Sequence, residues 1–129
     1  MNGDEISLTL PAGDDFRGVA HLVLGGLAVR LDLTFESLED LELALDALLE
    51  RTRGDEEVTV RLRLLDDELP TLVGPLASVR AELEDGAGDS LNLSRILSAV
   101  CDSVEIEERD GSEWVELTKR VQTLGAEAT

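Results

Sequence analysis

The stretch SLTLPAGDDFRGVAHLVLGGLAVRLDLTFESLEDLELALD, residues 7–46, changes its period partway along, and that change decides the fold class. Ile6, Leu8 and Leu10 alternate with Ser7 and Thr9, the pattern of a half-buried strand, and Pro11-Ala12-Gly13 stops it. Beyond Asp14 or Asp15, either of which can cap a helix, Phe16, Val19, Ala20, Val23, Leu24, Leu27 and Leu31 recur at helical spacing. Gly25-Gly26 interrupts this first helix, each glycine costing about 1 kcal/mol relative to Ala. Either the helix kinks or ends there, or another backbone packs very close. After RLDLTFES a second helix begins, capped by Thr34 or Ser37, with Leu38, Leu41, Ala44, Leu45 and Leu48 on one face. Its other face carries Glu39, Glu42, Asp46 and Glu50, and Gly54-Asp55 ends it.

From Val58 the period returns to two. Val58, Val60, Leu62 and Leu64 face one way, and Thr59, Arg61 and Arg63 the other. Asp66-Asp67 turns the chain into another strand around Leu69 to Val73, where Pro70 argues for an edge or irregular strand. SVRAELEDGAGDS is a polar connection with room for a helical turn. SLNLSRILSAVCD is a third helix, capped by Ser90, with Leu93, Ile96, Leu97 and Val100 inward. SVEIEE, a turn at Asp110-Gly111 and EWVELTKRV form a closing hairpin. The whole, residues 1–129, reads as one α+β domain with a frayed tail from Gln122: a two-layer sandwich whose mostly antiparallel, mixed sheet is covered on one face by about three helices.

The 29 Asp and Glu outnumber 11 Lys and Arg, a formal charge of -18 that repels nucleic acid and anionic membranes and suits a protein partner with a basic patch. Residues 32–57 alone carry ten acids against Arg51 and Arg53. The single Cys101 allows no internal disulfide or multi-cysteine metal site. No signal-peptide pattern or membrane-length apolar run is present, so a cytoplasmic location is expected.

The element order, the stretch at 7–46 and the ending DSVEIEERDGSEWVELTKRV together resemble the serine-kinase anti-sigma factors of the GHKL ATPase superfamily. The resemblance implies their histidine-kinase-like sandwich and three nucleotide-handling motifs. On the second helix it implies a Glu base and, four residues later, an Asn that holds Mg²⁺. The ungapped positions are Ala47 and Arg51. With one residue deleted, Asp46 and Glu50 take those places, two carboxylates one turn apart that can bind Mg²⁺.

The second implied motif, Asp-x-Gly-x-Gly, reads adenine. Its best match, LVGPL, has Leu72, Gly74 and Leu76, while EDGAGD at 84–89 sets Gly86 and Gly88 one position off relative to Asp85. The third is a Gly-rich lid whose backbone N–H groups cradle phosphates. Its glycines fall at Asp89, Leu91 and Leu93.

These departures set the expectation: a non-enzymatic regulator that keeps the fold, has lost the nucleotide site, and binds no ATP or metal. It would act in transcription control or partner switching on a sigma factor or an anti-sigma antagonist, as a homodimer. The alternative is an active, divergent serine kinase using Asp46 and Glu50 with Mg·ATP. A third reading is a structural subunit of a homodimer or heterodimer.

Other candidate residues read as structural. Asp46 and Glu50 lie on a helix face that solvation alone explains. His21, the only histidine, borders the apolar stripe of the first helix, and Cys101 reads as a structural thiol. Trp114 is out of phase with Val115 and Leu117, so it belongs to the open face of the sheet, where it suggests a dimer or partner contact. Arg61 and Arg63 share the polar strand face, covered by neighbouring acids.

Overall fold

In a computed structural model the described residues are 4–11, 16–51, 57–65, 67–76, 79, 80, 83 and 93–121. The strands are β1 (Asp4–Pro11), β2 (Glu57–Leu64), β3 (Glu68–Leu76), β4 (Ser103–Arg109) and β5 (Ser112–Arg120). The helices are α1 (Arg17–Leu31), α2 (Phe35–Leu49) and α3 (Leu93–Val100). The sheet order is β1-β2-β3-β5-β4, and every neighbouring pair is antiparallel, so the expected mixed sheet is antiparallel throughout. This is the expected α+β sandwich.

Strand alternation builds the core. Leu8 pairs with Val60, Val60 with Val73, Val73 with Val115 and Val115 with Ile106, one row across all five strands. Val60, Val73 and Val115 are essentially fully buried, as are Leu48 of α2 and Leu93 and Leu97 of α3. Each such side chain contributes about 1.5–3 kcal/mol relative to exposure. α2 is the central helix, packed against both α1 and α3. Its buried Leu41, Ala44, Leu45 and Leu48 form the stripe read from the sequence. Thr34 is its cap, the hydroxyl accepting from Ser37 N at 3.2 Å. Asp40 then ties α2 to the sheet through Lys119 of β5 at 2.9 Å.

Two further expectations need correction. α1 runs unbroken through Gly25-Gly26, and nothing lies within 4 Å of a Cβ at either position. Buried Leu24, Leu27 and Ala28 around the pair hold the helix in place despite its weak propensity. Pro70 is on a central strand, not an edge. Pairing with β2 covers only Thr71–Gly74, so Pro70 lies beyond that ladder and removes no bond from it. β3 is nonetheless irregular, its register with β5 shifting between Val73 and Leu76. After that shift Val79 and Arg80 are helical, and both backbone N–H groups donate to Glu113 Oε1, at 2.8 and 3.0 Å.

The last hairpin turns as expected: Asp110 (φ 51°) and Gly111 (φ 80°) are both left-handed, which a type I′ turn requires. The capping roles assigned to Asp14, Asp15 and Ser90, and the stop at Gly54-Asp55, fall outside the described residues.

Trp114 lies on the face away from the helices, over Gly74, with the Arg109 guanidinium 5.7 Å from its ring centroid. A Cβ on Gly74 would run into the indole. Gly74→Ala is expected to lower stability by about 1–3 kcal/mol, and Trp114→Ala in the same chain to recover part of that loss. Gly26→Ala, in open space on a helix, is expected to raise stability by about 0.5–1 kcal/mol. Urea denaturation of the variants measures both effects.

Candidate functional site

α1 and α2 form a helical hairpin whose turn is set by Asp32, a left-handed residue (φ 54°) whose N–H reaches back to the carbonyls of Ala28 and Val29. Asp adopts this region more readily than most residues. The turn runs the two helices antiparallel, so the first turns of α1 lie beside the last turns of α2. There His21 Nε2 donates to Asp46 Oδ1 at 2.8 Å, and its Nδ1 lies 3.8 Å from Glu42 Oε2. One turn further out, Glu50 meets Arg17 Nη1 at 3.7 Å and Arg51 Nη1 at 3.6 Å. Arg51 also donates to the Ala47 carbonyl at 2.6 Å, closing the C-terminal end of α2.

Glu42, Asp46 and Glu50 form a column of like charges at i,i+4 spacing, each contact costing a few tenths of a kcal/mol. Arg17 and His21, also four apart, line α1 opposite them, where Arg17 pairs with Glu50 and the His21 N–H bonds Asp46. The structure therefore brings Asp46 and Glu50 together as expected of neighbours one turn apart, and adds Arg17 and His21, neither singled out for this site from the sequence. The available signal was the match between the two i,i+4 ladders.

The remaining positions lie elsewhere. Ala47 is 5 % exposed and belongs to the core. Leu72 is buried outside that core, registered between Arg61 and Glu116 on the face away from the helices. Gly74 lies beneath Trp114, Leu76 is a core residue and Leu93 is fully buried at the start of α3. Asp89, Leu91 and the EDGAGD stretch fall outside the described residues. Arg61 is covered by an acid as expected, Glu5 at 3.1 Å.

A separate cleft of about 550 Å³ lies between α3 and β4, lined by Arg80, Leu83, Ser94, Ser98, Cys101 and Val104. Burial pushes the Cys101 thiol up to about 11, against a smaller opposing pull from Lys119, with Asp102 and Asp40 adding to the rise. Among the described residues no group of three or more His, Cys, Asp and Glu is disposed to hold a metal ion, and no helix is long and apolar enough to cross a membrane.

No family model matches the chain. Curated relatives do. The chain is 30 % identical over 79 residues to the serine-protein kinase RsbW of Bacillus subtilis, covering 56 % of this chain and 49 % of that protein. It is 31 % identical over 77 residues to the protein of the same name from Listeria monocytogenes, covering 54 % and 49 %. Over 43 residues, 33 % of this chain and 27 % of that protein, it is 44 % identical to RsbW of Oceanobacillus iheyensis. The chain thus spans about half the length of the first two of these relatives. The resemblance to serine-kinase anti-sigma factors is borne out. The expectation of a non-enzyme is overturned, because these relatives are named as serine-protein kinases.

The raised Cys101 pKa fixes its reactivity. Only the thiolate attacks, so at pH 8 alkylation by iodoacetamide is expected to be at least about tenfold slower than for a free cysteine, rising with pH until about 11. Mass-spectrometric labelling at a series of pH values checks this.

Proposed function

We propose that this chain is a divergent, ATP-dependent serine-protein kinase that regulates transcription by binding a protein partner, a sigma factor or an antagonist of one. The observation that carries the reading is its similarity to serine-protein kinases over more than half its length. The hairpin site supports it with a side-chain set suited to phosphoryl transfer.

Asp46 is a carboxylate with one oxygen fixed by His21, leaving the group oriented to take the proton of a serine hydroxyl. Glu50 is the carboxylate that would hold Mg²⁺, and Arg17 and Arg51 beside it are side chains of the type that grips phosphate oxygens. Bound ATP supplies the phosphoryl group. The fit is partial at the phosphates, where Leu93 of the implied lid is buried, and poor at the base: Leu72, where the resemblance implies an adenine-reading Asp, faces away from the helices. Two guanidinium groups within 4 Å of Glu50 also compete with a divalent cation for its charge. Weak nucleotide affinity follows from both.

Calorimetric titration with Mg·ATP is expected to show micromolar binding that Glu50→Gln weakens by about tenfold. Asp46→Asn, which removes the base and keeps an acceptor for His21, is expected to leave binding within about twofold while lowering phosphoryl transfer to a partner serine by about a hundredfold or more. Absence of heat and of thermal stabilisation at millimolar Mg·ATP would overturn the reading.

A further inference from the structure

The turn end of the α1–α2 hairpin differs in character from its ion-paired open end. At the turn end Val29 of α1 is 78 % exposed and Phe35 of α2 72 % exposed, and closer to the open end Leu22 and Leu43 are 76 and 50 % exposed. These values are unusual for large apolar side chains in a protein whose other leucines and valines are mostly buried. Between the helices Gly25, Ala28, Val29, Leu33, Phe35 and Leu38 line a cleft of about 460 Å³. The open flank of Gly25-Gly26, with nothing above either glycine, leaves the α1 backbone accessible beside it.

The charges around this surface separate into two groups. Elsewhere along α2 and its C-terminal cap the carboxylates have partners within the chain: Asp40 has Lys119, Asp46 the His21 N–H, and Glu50 Arg17 and Arg51. Asp32, Glu36 and Glu39, which flank the exposed Phe35, make no ion pair among the described residues. Arg30 is the one basic residue between positions 22 and 43. An apolar cleft rimmed by uncompensated acids is the complement of an amphipathic helix that carries leucine-type anchors on one face and lysine or arginine along its borders. A second copy of this surface would set the same acids against each other.

We propose that the cleft between Val29 and Phe35 is a docking groove for a basic amphipathic helix of a partner protein. The inference takes from the functional reading only the existence of a protein partner, and it stands or falls separately from phosphoryl transfer because its readout is binding without nucleotide. Apolar anchors supply the affinity, and Asp32, Glu36 and Glu39 set the orientation and select against acidic helices.

The probe is a leucine–lysine amphipathic peptide of about 14 residues, with its leucine–glutamate counterpart as control, titrated against the full chain by fluorescence anisotropy. Micromolar binding of the basic peptide alone is expected. Val29→Ser and Phe35→Ser, both at exposed positions, are expected to weaken it by about tenfold or more. Glu36→Gln with Glu39→Gln is expected to weaken it and flatten its salt dependence. Glu105→Gln with Glu108→Gln, which removes the same charge from β4, is expected to change it by less than about twofold. Equal losses from the two charge pairs, or no loss from Phe35→Ser, would show general attraction to an acidic protein and overturn the proposal. Sedimentation showing a dimer that Phe35→Ser dissociates would assign the groove to a second copy and overturn it equally.

Discussion

Everything else in this structure depends on the burial of one side of α2. Leu41, Ala44, Leu45 and Leu48 place that helix over the sheet and between α1 and α3, so its position fixes both of its helical neighbours. The same burial forces the acidic residues of α2 to its flanks, since an unpaired charge in the core costs several kcal/mol. A helix rich in acids and apolar residues can meet that constraint in only one rotation. Lys119, reaching from β5 to Asp40, secures the rotation from the sheet side, and Arg17 and His21 secure it from α1. Site and core are consequences of one orientation.

Much of the architecture was legible because the signals that specify it are local. The period of two around Val58–Leu62, the 3.6-residue period of α2, the Thr34 cap and the Asp110-Gly111 turn each involve residues within a few positions of one another. The misreadings arose where tertiary context prevails. Gly25-Gly26 lowers helix propensity by an amount smaller than the burial of Leu24 and Leu27 returns. Pro70 is an edge signal only if the neighbouring ladder reaches it, and the length of that ladder is a property of β2. That no parallel pair enters the sheet among the described residues depends likewise on how strands distant in sequence meet.

The site was legible only in part, for a related reason. Asp46 and Glu50 could be singled out on α2 alone, since one turn of helix fixes their separation. Pairing them with His21 and Arg17 requires the crossing of two helices, which no single-helix pattern contains. The non-enzymatic reading failed at a different point. It inferred loss of chemistry from loss of particular residue types at aligned positions, yet activity requires suitable groups in one place, whichever positions supply them. At the open end of the hairpin a carboxylate held by a histidine, a second carboxylate and two guanidinium groups do lie together. Ala47, by contrast, is packed in the core, where an ionised glutamate would be costly without a partner. The substitution at that position removes a charge from a place where this fold leaves little room for one.

The distribution of charge along the hairpin then separates the two proposed tasks, which a net charge of -18 alone would blur. Asp46 and Glu50 at the open end are held in fixed directions by His21, Arg17 and Arg51, as the proposed phosphoryl transfer would need. Asp32, Glu36 and Glu39 at the turn end, which make no ion pair among the described residues, keep their field, which extends about a Debye length into solvent and, on the docking proposal, would steer a basic partner toward exposed apolar anchors. Because both ends belong to the same two helices, a partner seated between Val29 and Phe35 rests on the scaffold that aligns Asp46. Displacement of α1 relative to α2 at the turn would alter the distance from His21 to Asp46, since the hydrogen bond between them spans the two helices. Binding and chemistry would in that way be coupled through the hairpin itself, with the strength of coupling set by how rigidly Leu24, Leu27, Leu45 and Leu48 lock the two helices together.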